Sequence, residues 1–298
     1  MQIASRRNMA KGLLLMMASS ACFGVMGAAA KQANAVMSFW ETTFWRGLIT
    51  TAIATALILW GRRQERHDPT IGRHWLWLRG LFGTLGVMCY FFAISRIPLA
   101  QAVMLNCTSP VFTTLLAAIF LKERLHPQRL AGLVLALTGA WLVLNPTGGS
   151  LNWGTVLGLL SGVFSAFAYV LVRRLSATQD PWVVVWHLAV MGILLGLPGT
   201  VLDFHAPVGW LLPCILIMGL AGTLAQGAMT TAFRWLPAGA GSTAGLMTVC
   251  VSTLIGWLYF GEVPTSGALL GGALIIAGGI GANLPAGAKK QLRTAEAS

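Results

Sequence analysis

Residues 77–146 of this chain recur as residues 216–285, at an offset of 139 positions and without a gap. Gly80, Leu81, Gly83, Thr84 and Leu85 fall on Gly219, Leu220, Gly222, Thr223 and Leu224. Pro98 falls on Pro237, Glu123 on Glu262, Gly132 on Gly271, Gly139 on Gly278 and Pro146 on Pro285. Apolar letters match by chance in any hydrophobic chain, but a matched set of Pro, Gly and Glu does not. A repeat limits the fold more than any local feature, because both copies must form the same unit and bury a common face.

The solvent of those units is lipid. The chain is 56% apolar and 9% charged, with a mean hydropathy of +0.73, whereas soluble domains carry about 25% charged residues. Apolar runs of about 20 residues read as membrane-spanning helices. Ten such segments are expected, at residues 12–31, 38–60, 75–95, 100–121, 129–145, 153–172, 182–202, 210–233, 238–260 and 266–284. Arg6, Arg7 and Lys11 before the first segment, with Ala28, Ala29 and Ala30 inside it, also fit a secretory leader. Ser20 and Phe23 are echoed by Ser161 and Phe164 in the sixth segment, which favours a retained helix.

Five segments per half is an odd number, so the second copy enters the membrane from the opposite side. The expected fold is all-α and integral to the membrane, with ten transmembrane helices in two inverted five-helix repeats. Residues 1–148 form the first repeat, 149–287 the second and 288–298 a disordered cytoplasmic tail. Inverted repeats of this kind build many secondary transporters, with the substrate site near the midplane between them.

The positive charges set the orientation. With a cytoplasmic N-terminus, sixteen of the 20 Lys and Arg residues fall on the cytoplasmic side. Lys31 and Arg96 face outward, and Arg46 and Arg79 lie within segments. This bias obeys the positive-inside rule. The net charge of +12 is therefore a topology signal with some attraction to anionic lipid, not a nucleic-acid footprint. Cys22, Cys89, Cys107, Cys214 and Cys250 all lie in apolar segments, odd in number and without a CxxC pair. They read as small packing residues rather than a disulfide or metal framework. Gly132, Gly139, Gly271 and Gly278 are expected at helix seams, where close backbone approach replaces the missing hydrophobic drive.

An ionisable group inside a segment is a functional candidate by default. Arg46 and His187 are the two well inside, in matching Trp45-Arg46 and Trp186-His187 pairs. Each lies about 10 Å past its helix start at 1.5 Å per residue. Arg46 reads equally as a substrate contact or a partner for Glu41 and helix carbonyls, and His187 as a packing or a functional histidine. Trp45 and Trp186 could wall a pocket for a ring or an apolar chain. Glu41, Glu65, Asp68, Glu123, Asp180, Asp203, Glu262 and Glu296 all sit at segment ends, in loops or in the tail. A proton-coupled exporter of lipophilic cations usually needs a buried acid. Its lack suits a carboxylate-bearing or zwitterionic solute. Glu123 and Glu262 read as helix caps or ion-pair partners.

The fourth segment concentrates polar groups at Gln101, Asn106, Cys107, Thr108 and Ser109, ahead of Pro110. Pro110 frees a backbone carbonyl, which a membrane tolerates only against protein or a wet cavity. The ninth segment answers with Ser242, Thr243, Thr248, Ser252 and Thr253, and Tyr90, Tyr169 and Gln226 add hydrogen-bonding groups. Helix-to-helix bonding explains any one of them; a shared polar cavity explains their concentration.

Arg46, Leu78-Arg79-Gly80, Ile97-Pro98-Leu99-Ala100-Gln101-Ala102, Ser109-Pro110-Val111-Phe112 and Leu121-Lys122-Glu123-Arg124-Leu125 resemble the EamA-type transporters of the drug/metabolite transporter superfamily. The second half carries the weaker set Pro237, Gly261-Glu262 and Gly271. The first half is also similar to the animal solute-carrier branch that transports organic anions. The resemblance implies ten helices, cytoplasmic termini and a central cavity between the halves, with substrates that range over amino acids, nucleotide-like metabolites, organic anions and drugs. The second half lacks a Ser-Pro at Thr248-Val249 and has His187 in place of Arg46, a departure from exact symmetry.

The expected function is a secondary transporter of the inner membrane that moves a small polar metabolite, an amino acid or organic anion, by alternating access. The alternatives are a multidrug or cationic compound exporter and, in another class, a membrane scaffold or assembly protein. An enzyme would need converging catalytic groups, and none but His187 offers itself. Candidate substrate-binding residues are Arg46, Trp45, Tyr90, Gln101, Asn106, Ser109, Tyr169, Trp186, His187, Gln226 and Thr248. Neither cofactor nor metal is expected. The partners are a small-molecule substrate and the lipid bilayer, with a homodimer left open and no nucleic acid.

Overall fold

The computed structural model describes residues 6–61, 73–121, 127–144, 152–176, 178–236, 241 and 244–283. Among these residues all regular structure is helical: α1 (Arg6–Ala33), α2 (Phe39–Gly61), α3 (His74–Arg96), α4 (Leu99–Asn106), α5 (Ser109–Leu121), α6 (Pro127–Leu144), α7 (Trp153–Leu175), α8 (Pro181–Leu202), α9 (Leu211–Ala232), α10 (Met247–Phe260) and α11 (Ser266–Asn283). Six helices are long and apolar enough to cross a bilayer: α1, α2, α3, α7, α8 and α9. Glu65, Asp68, Lys122, Glu123, Arg124, Pro146, Pro237, Ser242, Thr243, Pro285 and the tail 288–298 lie outside the described residues.

Helix starts follow local chemistry. The Asn152 side chain accepts from Gly154 N at 2.9 Å at the head of α7. Asp180 accepts from Trp182 N at 2.8 Å at the head of α8, where Pro181 occupies the first turn. Both are N-caps that satisfy orphan amide donors. At the end of α10, Gly261 takes the left-handed conformation (φ 66°) that closes a helix at little cost to a residue without Cβ.

The fourth apolar segment, expected as one helix over 100–121, is two. It breaks at Cys107 and Thr108, between α4 and α5. Pro110 has no amide proton to donate to Asn106 O, and the preceding carbonyl, Leu105 O, accepts from the Thr108 hydroxyl at 2.7 Å. Helix α7 crosses the break at Gly162, where a Cβ would meet Thr108 Oγ1 at 2.5 Å and the Leu105 and Asn106 carbonyls at 3.0 and 3.1 Å. The irregular backbone is thus covered by protein, as lipid requires.

The main helix pairs are α1 with α9, α2 with α8, α3 with α7 and α6 with α11, and α10 packs on α1 and α4. Small residues mark these seams. A Cβ at Gly139 would stand 2.5 Å from Gly271 O, and one at Gly278 would stand 2.5 Å from Gly132 O, so the repeated glycines meet one another. Gly47 and Gly196 play the same part between α2 and α8. Hydroxyls add cross-helix bonds, Thr50 to Thr223 at 2.8 Å, Ser19 to Ala225 O at 2.8 Å and Thr84 to Leu188 O at 3.1 Å. The buried centre runs through Met26, Tyr90, Phe91, Leu99, Val103, Leu105 and Val249. Leu14, Trp60, Val201, Leu258 and other large apolar residues point outward.

Candidate functional site

A cavity sits where α1, α3, the α4–α5 break, α7, α9 and α10 converge, and its empty space with the mouth is about 780 Å³. Both halves of the chain build its wall. From the first come Phe23, Met26, Arg79, Tyr90, Asn106 and Ser109; from the second come Ser165, Tyr169, Gln226, Met229 and Thr248.

Helix α3 supplies one stripe, Arg79, Gly83, Gly86 and Tyr90, all on the cavity wall. The spacing of four, three and four keeps these residues on one helical face. The two glycines leave the middle of the stripe without side chains, so that the Arg79 guanidinium folds over Gly83 and Ser165 of α7 approaches Gly86. Arg79 is 2% exposed. Its Nη2 donates to Gln226 Oε1 at 3.1 Å, and its Nε and Nη1 have no hydrogen-bond partner among the described residues.

The α4–α5 break supplies the opposite polar patch. Asn106 Nδ2 donates to Ser161 Oγ at 2.9 Å and Ser165 Oγ at 3.2 Å on α7. That leaves its carbonyl oxygen free to accept. Tyr169 hydrogen-bonds to Ser109 across the same gap. The wall therefore offers one guanidinium, amides and hydroxyls. No described carboxylate lines it.

Six of the sequence candidates come together here: Tyr90, Asn106, Ser109, Tyr169, Gln226 and Thr248. Arg46, Trp45, Gln101, Trp186 and His187 do not line the cavity. Arg46 is 3% exposed on α2, with Nε and Nη2 unpartnered. It lies against Gly222 of α9 and beside Met26, which does line the cavity. Trp45 packs on Phe44 and Phe204. Gln101 is half-buried on α4. Trp186 Nε1 donates to Thr55 Oγ1 at 3.0 Å. His187 Nδ1 meets Val183 O at 2.8 Å, and its ring stands edge-on to Trp77 at 4.9 Å.

Arg79 lines the cavity, although the sequence reading placed it within the third segment without counting it among the candidates. Its place five residues into α3 is nearly as deep as that of Arg46, and the Arg79, Gly83, Gly86, Tyr90 stripe was the available signal. The acids lie at helix ends. Glu41 is fully buried and accepts from Ser38 N at 2.8 Å and His205 N at 2.6 Å, with the His205 ring 3.1 Å away. It is thereby occupied away from Arg46. Glu41, Asp203 and His205 form a cluster whose ligand atoms lie within 4.8 Å of one another; its hydrogen bonds tie α2 to the loop after α8.

Comparison with known proteins agrees with this architecture. The model of the EamA-like transporter family matches residues 10–145 and again residues 152–284. The chain is 34% identical to the pseudopaline exporter CntI of Pseudomonas aeruginosa, over 89% of this chain and 93% of that one. It is 30% identical to a riboflavin transporter of Rhizobium johnstonii over 68% of each chain, and 28% identical to human solute carrier family 35 member G1 over 72% of this chain and 63% of that protein. A crystal structure superposes with a TM-score of 0.65 at 21% identity, covering 92% of this chain and 96% of that chain, a likeness of fold. With both halves matched by one family model, the chain belongs to the EamA-like transporter family, as a multi-pass membrane transporter of small molecules.

Proposed function

We propose that the protein is a secondary transporter that moves a small polar metabolite, an amino acid or organic anion, across the inner membrane by alternating access. The observation that carries this reading is the cavity itself: walled by both halves, with polar groups set among apolar ones, a buried guanidinium on it and no described carboxylate. In such a site a carboxylate is held bidentately by the planar Arg79 fork, while Asn106, Gln226 and the Tyr and Ser hydroxyls fix orientation. A cationic solute would meet like charge and no counter-ion, which weighs against a multidrug or cationic exporter. The relatives carry chemically unlike solutes, pseudopaline and riboflavin by name, so the substrate class comes from this wall.

Alternating access needs two related conformations that face opposite sides, and inverted five-helix repeats supply them by exchanging shapes. The helix pairing supports that arrangement. Exchanging the halves turns α1–α9 into α3–α7 and leaves α2–α8 and α6–α11 unchanged. The reading places ten crossings in the inner membrane with both termini cytoplasmic. It gives the protein no catalytic step.

The test is a thermal-stability screen of the purified protein against amino acids, carboxylates, nucleotides and lipophilic cations, followed by flux in proteoliposomes. A ligand that binds the folded state raises Tm by mass action. Stabilisation and saturable flux with an amino acid or organic anion are expected. Selective stabilisation and flux with lipophilic cations would overturn the substrate class, and the absence of any flux would overturn transport.

A further inference from the structure

Two buried cations have no anion among the described residues. Arg46 Nε and Nη2 and Arg79 Nε and Nη1 are buried donors without partners among the described residues. The described acids are engaged elsewhere. Glu41 holds Ser38 N and His205, Asp180 caps α8 near Arg234, Asp203 lies by His205, and Glu262 pairs with Lys31.

Helix α9 meets both cations, one turn apart. Gln226 accepts from Arg79. Gly222, one turn earlier on the same face, is where α9 meets Arg46: a Cβ there would stand 3.0 Å from both Arg46 Nε and Met26 Sδ. One turn is about 5.4 Å along the axis. Met26, Arg79 and Gln226 all line the cavity, so Arg79 faces it directly and Arg46 stands behind the flexible Met26 side chain.

A buried guanidinium left unpaired is costly, and two of like sign cost more. A monoanion on Arg79 would neutralise one and leave the other. We infer that Arg46 and Arg79 form a two-point anion site, and that the substrate carries two negatively charged groups, one gripped by each guanidinium. This rests on the transporter reading above and narrows its substrate class to dianions such as dicarboxylates. Gln226 is the positioning residue that holds Arg79 toward the cavity; Gly222, without a Cβ, lets Arg46 and Met26 close on the α9 backbone.

The experiment uses the full chain in lipid nanodiscs with succinate, glutarate and adipate as probes and butyrate as the single-charge control. At least one dicarboxylate is expected to bind tenfold or more tightly than butyrate. Arg46→Ala and Arg79→Ala should each remove that preference, and Arg46→Lys and Arg79→Lys should restore part of it. A second measurement works on the unaltered protein, so poor folding of a variant does not decide the matter. Phenylglyoxal modification mapped by mass spectrometry should be slowed at both Arg46 and Arg79 by the binding dicarboxylate, and at no more than one of them by butyrate. Equal affinity for butyrate and all three dicarboxylates, or modification of Arg46 indifferent to every one of them, overturns the two-point site. Flux of a monoanion or zwitterion with neither signature overturns it while leaving transport standing; absence of flux with any solute class overturns the transporter reading itself.

Discussion

Glu262 shows how a carboxylate is used in a protein with few of them. Its Oε1 is 2.6 Å from Lys31 Nζ, and its Oε2 accepts from Leu99 N at 2.8 Å, at the head of α4. Lys31 also donates to Ile97 O at 3.0 Å. One acid from the second repeat thus ties the end of α1 to the start of α4, a structural task of the kind its sequence position suggested. Glu262→Gln keeps an oxygen for Leu99 N and a neutral partner for Lys31, and loses the charge of the pair. Transport at matched expression should stay close to the parent's, with a small fall in Tm. Complete loss of flux in well-folded protein would make Glu262 a coupling residue. Arg79 marks the limit of reading single residues from sequence. A charge five residues into a helix can snorkel to the headgroups or turn inward. Which it does depends on what the neighbouring helices leave open, here the bare backbone at Gly83 and the Gln226 amide on α9. Arg46 was legible because no interface lay within its reach.

At the scale of elements, the periodic apolar runs were readable because length and hydropathy are set by the bilayer; most ends agree within a few residues, but α1 begins at Arg6 rather than 12 and α10 at Met247 rather than 238. The break within the fourth segment was only half readable. Pro110 announced a freed carbonyl, but where the helix parts depends on Thr108 taking up Leu105 O and on Gly162 letting α7 close over it. The α6–α11 seam was legible from its repeated glycines. Gly139 and Gly278 each face partner backbone at 2.5 Å from the position a Cβ would take. Backbone cannot rotate away as a side chain can, so Gly139→Val should push the helices apart and destabilise by at least about 1–3 kcal/mol. Gly267→Ala, on the partner helix α11 of the same seam, is the control, since the nearest atom to its Cβ would be Leu142 O at 3.8 Å. Size-exclusion thermal-stability profiles check both. The valine variant should lose its monodisperse peak at a markedly lower temperature, and the alanine variant should follow the parent. A parent-like Gly139→Val would mean that this seam does not hold the bundle.

For the whole molecule, the charges and the pairing bear on one question, which way the bundle lies in the membrane. Arg173, Arg174, Asp180 and Arg234 gather at one end, where Arg234 reaches Gln179 O at 3.3 Å and Arg174 lies over Trp75 at 4.3 Å. Lys31, Glu262, Glu41 and His205 belong to the other. The positive-inside rule assigns the arginine-rich end to the cytoplasm. Crossing parity then places every connection. Arg73 precedes the third crossing, Val208 follows the seventh and Val263 follows the ninth, so Arg73 should be cytoplasmic and the two valines external. All three are exposed, Val208 at 71% and Val263 at 74%. In a variant with the five native cysteines replaced, Val208→Cys and Val263→Cys should react with a membrane-impermeant maleimide on intact cells. Arg73→Cys should react only after permeabilisation. The reverse pattern would place the termini outside and refute the orientation. Labelling of Val208 and Val263 from opposite sides would remove a crossing between them, and with it the equal five-helix halves on which exchange of inward and outward shapes depends.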